Sequence, residues 1–317
     1  MMREKDVEKM KREFEVVSQG RFPDLYVFLV QMVSRTPHIH KEIELGLVMR
    51  GQLTVKENGR AWTIQEGDMY LINAMGPHEF AANQPDTLIL AIQASPKLLR
   101  PFLPDAAMRR YQTEPPIRSW FRNGDYTALT KDCVQLARRY HRRDQGYEVA
   151  CFSLIGQVFL LLENHIPILM IDQKDYDTVR RRTDRMAQIT DYMDQHYQQK
   201  LLLGDIADQF GLSLTYASHL FKDTLGVTFQ DYLKEKRFEH ALSLIAGTGR
   251  SILDISLESG FSDERYLTAL FRERFGISPR EYRKRLSPMP NVRMPSDTSL
   301  QRILGSEEAL LHLARFA

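Results

Sequence analysis

Apolar and polar residues follow two different patterns along the chain, and the first lies between residues 25 and 94. Short runs rich in β-branched and aromatic residues are separated there by turn residues such as Gly51 and Asn58-Gly59. Runs of this kind are typical of β-strands, and many of them at close spacing indicate a barrel or jelly roll. The predicted strands are Tyr26–Val30, Ile43–Met49, Gln52–Val55, Trp62–Ile64, Met69–Ile72 and Thr87–Ile92.

Beyond Pro96 the apolar residues take the spacing of helices, over Leu98–Phe102, Tyr126–Tyr140 and Tyr147–Asn164. The last segment is apolar on almost every side, and such a helix must be buried on more than one side. We expect it to pack on the barrel, on the preceding helix, or on the same helix of a second subunit. Its longest apolar stretch, Cys151–Leu162, is too short to cross a bilayer.

One helical pattern occurs twice between residues 201 and 285. In each copy a glycine, Gly211 or Gly260, lies one turn past a short apolar helix, where the chain must reverse and a positive φ costs glycine nothing. Ser213 and Asp263 then provide oxygen atoms that cap a second helix. Each copy therefore predicts a helix-turn-helix, a motif that inserts its second helix into the major groove of DNA. The shared landmarks are Ile206-Ala207, Gly211-Leu212-Ser213, Phe221-Lys222 and Gly226, then Ile255-Ser256, Gly260-Phe261-Ser262, Phe271-Arg272 and Gly276.

The second helix of each copy has apolar residues on one face, which leaves its opposite face free for a partner. Between the copies, Thr228 to Ile245 predicts one amphipathic helix that ends at Gly247-Thr248-Gly249. If this rigid helix separates the copies by about 34 Å, both second helices can enter successive major-groove segments of one duplex. The predicted apolar faces hold Tyr216, Leu220 and Phe221 in the first copy and Tyr266, Leu267, Leu270 and Phe271 in the second.

Over about a hundred residues, this region resembles the AraC/XylS family of transcription regulators. Three positions depart from the family pattern, namely Ser256, Leu267 and Ala269. The first two are small packing changes, whereas the third removes a side chain that could reach a base or a phosphate. The resemblance is carried by Ile206-Ala207, Gly211, Phe221-Lys222, Gly226, Arg237, Ala241, Asp254-Ile255, Gly260-Phe261-Ser262, Tyr266, Phe271, Gly276, Ser278-Pro279 and Tyr282-Arg283.

The resemblance also implies which side chains meet double-stranded DNA. Lys222, Arg272 and Arg274 are expected on phosphate, which positions the protein without reading sequence. The base-contacting positions carry side chains suited to base edges. It further implies a homodimer and, for an activator, contact with RNA polymerase. Aligned on Phe221 and Phe271, the base-contacting residues are Thr215, Ser218, His219, Glu264, Arg265 and Thr268.

Histidines and a glutamate in the predicted barrel form a second candidate site. His38, His40 and Glu44, followed by His78, resemble the three His and one Glu that bind metal in cupin enzymes. On a strand, His38 and His40 point to the same face, and Glu42 and Glu44 continue that row. These groups suit a divalent metal ion such as Zn²⁺, Mn²⁺, Fe²⁺ or Ni²⁺. The favoured alternative, which requires no cofactor, is a polar lining for a small-molecule effector, a sugar being the first choice, with Trp62, Tyr70 or Phe80 stacking on it.

Composition limits these interpretations without deciding between them. The net charge is +2, and residues 201 to 286 contain twelve Lys and Arg against twelve Asp and Glu. We therefore expect modest affinity for nonspecific DNA and a shallow salt dependence. The segment Met1 to Phe14 lacks the apolar run of a signal peptide, so we expect a cytoplasmic protein with no membrane partner. Cys133 and Cys151 lack metal-ligand spacing and predict buried thiols.

The predicted fold is α+β and multidomain, with an N-terminal cupin-like β-barrel, a helical dimerisation segment and a C-terminal all-α double helix-turn-helix. The leading function is a transcription factor that responds to an effector, and no enzyme activity is required. The alternatives are a metal-dependent cupin enzyme with an attached DNA-binding domain and a constitutive regulator whose barrel only dimerises. The predicted boundaries are 1–96 for the barrel, 97–171 for the helical segment, 172–184 for a linker, 185–286 for the DNA-binding domain and 287–317 for a C-terminal extension.

Overall fold

The computed structural model describes residues 22, 24–57, 59–84, 86–122, 124–286 and 300–316. Internal contacts divide the chain into two compact units. We call residues 22–183 and 301–316 the barrel unit and residues 184–286 the helical unit. Within the described ranges, no helix is both long enough and apolar enough to span a membrane.

The barrel unit is built on an antiparallel β-barrel, as the sequence predicted. Its first seven strands pair in the order β4-β3-β6-β1-β7-β2-β5, and a strand from the end of the chain, β10 (Leu300–Ile303), pairs with β1. The first seven strands are β1 Leu25–His38, β2 Ile43–Arg50, β3 Gln52–Glu57, β4 Arg60–Gln65, β5 Met69–Ile72, β6 His78–Ala82 and β7 Leu88–Ala94.

Strands β2 and β7 and the first part of β1 are mostly apolar because both of their faces are buried. In β2, Leu45 and Leu47 pack outward with the helices, whereas Val48 belongs to the core inside the barrel. Gly46 also faces the interior, where a Cβ atom would lie 2.0 Å from the ring of Tyr70. The glycine therefore makes room for Tyr70, which fills the barrel beside Phe80.

Helices cover the outer face of these strands. The four-residue α1 (Pro96–Leu99) is followed by the strand β8 (Arg109–Tyr111), by α2 (Asp125–Arg142) and α3 (Tyr147–His165), and by β9 (Ile168–Met170), which pairs with β8. The sequence predicted that α3 is buried on more than one side. In the single chain, however, one side of α3 is exposed to solvent, where Val149 is 75% and Leu160 is 60% exposed. The buried side includes Cys151, which like Cys133 is a free thiol in the core.

The described residues 301–316 of the C-terminal extension belong to the barrel unit and contribute to a strand and a helix. Strand β10 (Leu300–Ile303) pairs with β1, and the helix α11 (Ser306–Arg315) packs against α2. Arg138 of α2 donates a hydrogen bond to the carbonyl oxygen of Leu313 at 2.7 Å. The first part of the extension, which contains Pro288, Pro290 and Pro295, lies outside the described residues.

The helical unit begins within a long helix. Residues 172–184, for which the sequence predicted a linker, fall mostly in α4 (Gln173–His196), so the connection between the units is helical. Met186, Ile189 and Met193 of this helix are fully buried. The helices that follow are α5 Leu203–Gln209, α6 Leu214–Leu225, α7 Phe229–Gly247, α8 Ile252–Glu258, α9 Glu264–Phe275 and α10 Pro279–Leu286.

The two predicted helix-turn-helix modules are present, as α5–α6 and α8–α9. Gly211 and Gly260 have φ angles of 61° and 86°, in the left-handed region that favours glycine. Ser213 accepts a hydrogen bond from the amide of Tyr216 and caps α6, while Asp263 accepts one from Arg265 and caps α9. The single helix α7 joins the modules, as predicted.

Candidate DNA-binding surface and ligand site

Helix α6 presents its predicted DNA-contacting residues to solvent. Thr215, Ser218, His219 and Lys222 are all exposed, while Leu220 and Phe221 anchor the opposite side of the helix in the core. No hydrogen bond or ion pair to another described residue engages the side chains of these four. The hydroxyl and imidazole groups are therefore available to hydrogen-bond partners outside the chain.

Helix α9 presents the equivalent surface, but its charged groups have partners. Arg265 donates from Nε and Nη2 to the two carboxylate oxygens of Asp263, both at 3.0 Å. Glu264 lies 3.8 Å from Arg280. Thr268 is half-buried and Arg272 is exposed. In the second module, the guanidinium of Arg265 is therefore oriented by Asp263, the residue that caps α9.

The three departures from the family pattern have different structural consequences. Leu267 is fully buried and fills the core, as a packing change should. Ser256 does more than fill space, because its hydroxyl donates to the carbonyl oxygen of Asp263 at 3.1 Å. Ala269 is exposed on α9, on a concave surface that Arg265 and Arg272 also line.

Two tyrosines that the sequence assigned to apolar helix faces lie in solvent instead. Tyr216 of α6 is 41% exposed and Tyr266 of α9 is 63% exposed. The guanidinium of Arg185 lies 6.0 Å from the centre of the Tyr216 ring. The assignment was wrong because a phenol ring also fits at the border of an apolar face, where its hydroxyl stays hydrated.

The predicted cluster in the barrel unit does assemble, although not along a single strand. His38 ends β1, His40 lies in the connection to β2, Glu44 lies in β2 and His78 begins β6. The expectation of one continuous row was wrong because the chain turns after His38. The cluster forms because β1 pairs with β6, which places His38 directly opposite His78.

The three imidazoles face one another at close range. The ring of His78 is centred 4.1 Å from that of His38 and 5.0 Å from that of His40. The Nδ1 of His38 lies 2.9 Å from the Thr36 carbonyl oxygen, and the Nδ1 of His78 lies 2.9 Å from the Gly76 carbonyl oxygen. With Nδ1–H donating to these carbonyls, each Nε2 carries a lone pair. Both Nε2 atoms are buried and have no hydrogen-bond partner among the described residues.

Glu44 is held at the centre of a hydrogen-bond network. It accepts bonds from Tyr70 at 2.8 Å, Gln93 at 2.8 Å and His40 at 3.0 Å. The other nitrogen of His40, Nδ1, lies 3.0 Å from the Glu42 carbonyl oxygen. The network keeps Glu44 charged in a buried position.

The pKa values of the cluster follow from burial and from the interaction between His40 and Glu44. Burial would raise the pKa of Glu44, but the hydrogen bond and the charge of His40 lower it below its ordinary value. Burial, then the charge of His40, lowers the pKa of His78 to about 3. Burial, then the charge of Arg35, lowers the pKa of His38 well below its ordinary value. His38 and His78 are therefore neutral at pH 7, in the form that can donate a lone pair.

Two further residues near the cluster were missed in the sequence. Arg35 pairs with Phe80 between β1 and β6, and its charge acts on His38 and His78. Glu57 pairs with His78 between β3 and β6, and burial raises the pKa of its carboxyl group to about 7. The signal for Glu57 was its alternation with Leu53 and Val55, which point into the barrel.

Two family models match the chain, one in each unit. The AraC-like ligand binding domain matches residues 29–150, and a helix-turn-helix domain matches residues 206–285. The matches agree with a barrel that carries an interior polar cluster and with paired recognition helices. The chain belongs to the AraC/XylS family of transcription regulators, with a ligand-binding domain followed by a DNA-binding domain.

Curated relatives have the same class of function in their names. The HTH-type transcriptional regulator ExsA of Pseudomonas aeruginosa is 25% identical over 254 residues, which cover 78% of this chain and 87% of that protein. The HTH-type transcriptional activator RhaR of Klebsiella pneumoniae is 26% identical over 249 residues, which also cover 78% of this chain and 87% of that protein.

Solved structures resemble the chain in part or along most of its length. A transcriptional regulator with an AraC-type DNA-binding domain from Chromobacterium violaceum is 30% identical and covers 34% of this chain and 96% of its own, with a TM-score of 0.31. ToxT from Vibrio cholerae is 13% identical and covers 84% of this chain and 99% of its own, with a TM-score of 0.41.

Proposed function

We propose that this regulator reads a specific DNA sequence with α6 and α9 in response to a ligand bound among His38, His40, Glu44 and His78. The proposal that the chain reads a DNA sequence rests on the exposed polar surface of α6. There the side chains of Thr215, Ser218 and His219 have no hydrogen-bond or ion-pair partner among the described residues. Glu264, Arg265 and Thr268 are the proposed base contacts of α9, and Lys222 and Arg272 the proposed phosphate contacts.

The test compares two variants of α6 on DNA. A preferred site is first selected from random duplexes with the full chain, and affinities for that site and for random DNA are then measured at several salt concentrations. We expect His219→Ala to lose about 1–3 kcal/mol on the preferred site only, whereas Lys222→Ala weakens binding to all sequences and lowers the salt slope by about one. Equal losses of His219→Ala on both kinds of DNA would reject His219 as a base contact.

For the ligand, the donor set favours a divalent metal ion over the sugar expected from the sequence. The ligand atoms of His38, His40 and His78 lie within 4.8 Å of one another, a spacing that suits a single ion. The orphaned Nε2 atoms of His38 and His78, each with its Nδ1 on a backbone carbonyl, match the usual environment of metal-bound histidines. A bound dication would hold the three rings together.

The ligand proposal is tested by thermal unfolding of the full chain after chelator treatment. Zn²⁺ or Mn²⁺ should raise the unfolding midpoint of the wild type, because binding to the folded state alone stabilises it. His78→Ala should abolish that increase. If sugars raise the unfolding midpoint and metal ions do not, the metal site is wrong and a sugar is the better candidate for the effector. The same donors would serve a metal-dependent enzyme, but the regulator family favours sensing.

We also propose that the exposed side of α3 forms a homodimer. Val149, Ser153, Gly156 and Leu160 lie at intervals of four, three and four residues, which is the same spacing in either direction. Two antiparallel copies can therefore match Val149 with Leu160, and the small residues between them allow close approach. Among the described residues, a Cβ atom at Gly156 would meet no atom within 4 Å apart from the backbone of its own helix and the neighbouring residues.

The oligomeric state tests this interface directly. In sedimentation measurements, we expect the wild type to be dimeric and Leu160→Glu to be monomeric. Leu311→Glu, on the exposed side of α11, serves as the matched control because Leu311 is 66% exposed. A dimer that survives Leu160→Glu would place the interface elsewhere. Contact with RNA polymerase is expected only if the chain activates transcription.

A further inference from the structure

We propose that Glu57 is a fifth residue of the ligand site and supplies a second carboxylate to a divalent transition-metal ion held by His38, His40, His78 and Glu44. This inference rests on the ion binding proposed above. It assigns a role to a carboxylate that lies outside the histidine motif and that the sequence pattern alone did not single out.

Strand pairing places Glu57 beside the cluster. Glu57 of β3 lies directly opposite His78 of β6, and His78 lies directly opposite His38 of β1. Directly opposed residues have Cβ atoms about 4.5–5.5 Å apart and side chains on the same face of the sheet. Glu57, His78 and His38 therefore form a row across three adjacent strands, on the inner face of the barrel.

The position of the Glu57 carboxylate agrees with this row. Its Oε1 atom lies 3.1 Å from where a Cβ atom of Gly76 would be. The carbonyl oxygen of Gly76 is the atom that accepts the hydrogen bond from Nδ1 of His78. The carboxylate is thus next to the segment that orients His78, and the absence of a side chain at Gly76 leaves it that space.

The charge of Glu57 has no compensation within the described residues, where it makes neither a hydrogen bond nor an ion pair. Holding an uncompensated carboxylate in a largely buried place is costly, and a bound cation would remove that cost. Glu44 alone offsets one of the two charges of such a cation. Neutral imidazoles and one carboxylate leave a dication with a net positive charge among apolar side chains, and Arg35 adds to it. A second carboxylate offsets that charge.

The donor set defines the class of ion. Three imidazoles with two carboxylates suit Zn²⁺, Mn²⁺, Fe²⁺ and Ni²⁺. Ca²⁺ and Mg²⁺ prefer sites made of oxygen atoms alone, and Cu⁺ prefers sulfur ligands. We therefore expect binding of the first group and weak binding of the other ions.

The experiment measures Zn²⁺ affinity of the full chain by competition with a chromophoric chelator. Wild type is compared with Glu57→Gln, His78→Ala and a control, Glu79→Gln. Glu79 is the residue after His78 on β6 and forms an ion pair with Lys56, so its carboxylate belongs to the opposite face of the strand. We expect the Kd of Glu57→Gln to rise about 10–100-fold, the Kd of Glu79→Gln to stay near the wild-type value, and His78→Ala to lose binding.

Co²⁺ provides a second, spectroscopic readout. The visible absorption of Co²⁺ depends on its ligands, so the spectrum should change in Glu57→Gln and stay the same in Glu79→Gln. Without metal, Glu57→Gln should be at least as stable as wild type, because it lacks the uncompensated carboxylate. A less stable variant would contradict the proposal, since it would mean that the carboxylate has a structural partner.

The results distinguish the role of Glu57 from the existence of the ion site. An unchanged Kd and an unchanged Co²⁺ spectrum in Glu57→Gln, together with loss of binding in His78→Ala, would overturn the role of Glu57 and leave the ion site intact. Failure of the wild type to bind either Zn²⁺ or Co²⁺ would overturn the ion site itself.

Discussion

Asp263 combines two roles in one side chain. Its carboxylate caps α9 through the amide of Arg265 and also receives two hydrogen bonds from the guanidinium of the same residue. Two parallel bonds of this kind fix the plane of a guanidinium, and the remaining N–H groups of Arg265 then point away from the carboxylate. A guanine edge in the major groove accepts a pair of bonds from such a group.

We therefore predict that Asp263→Asn changes DNA specificity more than helix stability. Asn caps a helix about as well as Asp, so α9 should remain folded. Preference for one base pair of the selected site should fall by about 1–3 kcal/mol, because Arg265 loses its fixed orientation. Affinities for site variants at each position would measure this effect. A specificity profile identical to that of wild type would mean that Arg265 does not depend on Asp263.

Individual residues of the site were predictable to different degrees. His38, His40, Glu44 and His78 were found because they match a known spacing, and the caps Ser213 and Asp263 because their chemistry is local. Glu57 was missed because its position beside the cluster depends on the pairing of β3 with β6, a strand some twenty residues away. Sequence alternation gives the face of a side chain, but only the register of the sheet shows which residue it meets.

At the scale of elements, α4 shows that a charged segment predicted as a linker can be helical. Residues 172–184 are rich in Asp and Arg but contain neither Gly nor Pro. Nothing in that composition interrupts a helix, and the apolar residues Met186, Ile189 and Met193 anchor the following turns. The strands were easier to predict, since turn glycines and asparagines separate them.

The packing of α4 predicts a pH dependence for the helical unit. Burial, then the neighbouring charge of Asp194, raises the pKa of Asp191 to about 6, from 3.8 for an ordinary aspartate. A raised pKa means that the folded state holds the proton more tightly than the unfolded state. The stability contributed by this proton is fully present below about pH 3.8 and is lost as the pH rises through about 6.

Asp191→Asn should therefore stabilise the helical unit at pH 7, where wild type carries the unfavourable charge. The gain should shrink as the pH falls toward 4, because wild-type Asp191 is then protonated. Urea unfolding at a series of pH values measures both effects. Asp208→Asn, at an exposed position of α5, is the matched control. A gain that does not vary with pH would rule out Asp191 as the cause.

At the scale of the whole molecule, the barrel unit includes residues from both sides of the helical unit in the sequence. The family models end at residues 150 and 285, so the contribution of the C-terminal extension could not be read from the resemblance. Its fold depends on contacts with β1 and α2, which are more than a hundred residues earlier. Such long-range pairing leaves little local trace in the sequence.

We predict that α11 stabilises the barrel unit through its buried face. Leu313 is fully buried whereas Leu311 is 66% exposed, so the two leucines form a matched pair on one helix. Leu313→Ala should cost about 2–5 kcal/mol in the free energy of unfolding of the barrel unit. Leu311→Ala should change it by less than about 0.5 kcal/mol. Equal effects in denaturant unfolding would mean that α11 does not contribute to the core.

The pairing of β10 with β1 also orders the events of synthesis. The ribosome makes β1 first and β10 only after the entire helical unit. The edge of β1 that pairs with β10 therefore remains unpaired until the end of synthesis. A polypeptide released early would contain complete recognition helices attached to a sensor that lacks one strand. In such a product, DNA binding would be separated from correct sensing, and the uncovered strand edge would invite aggregation.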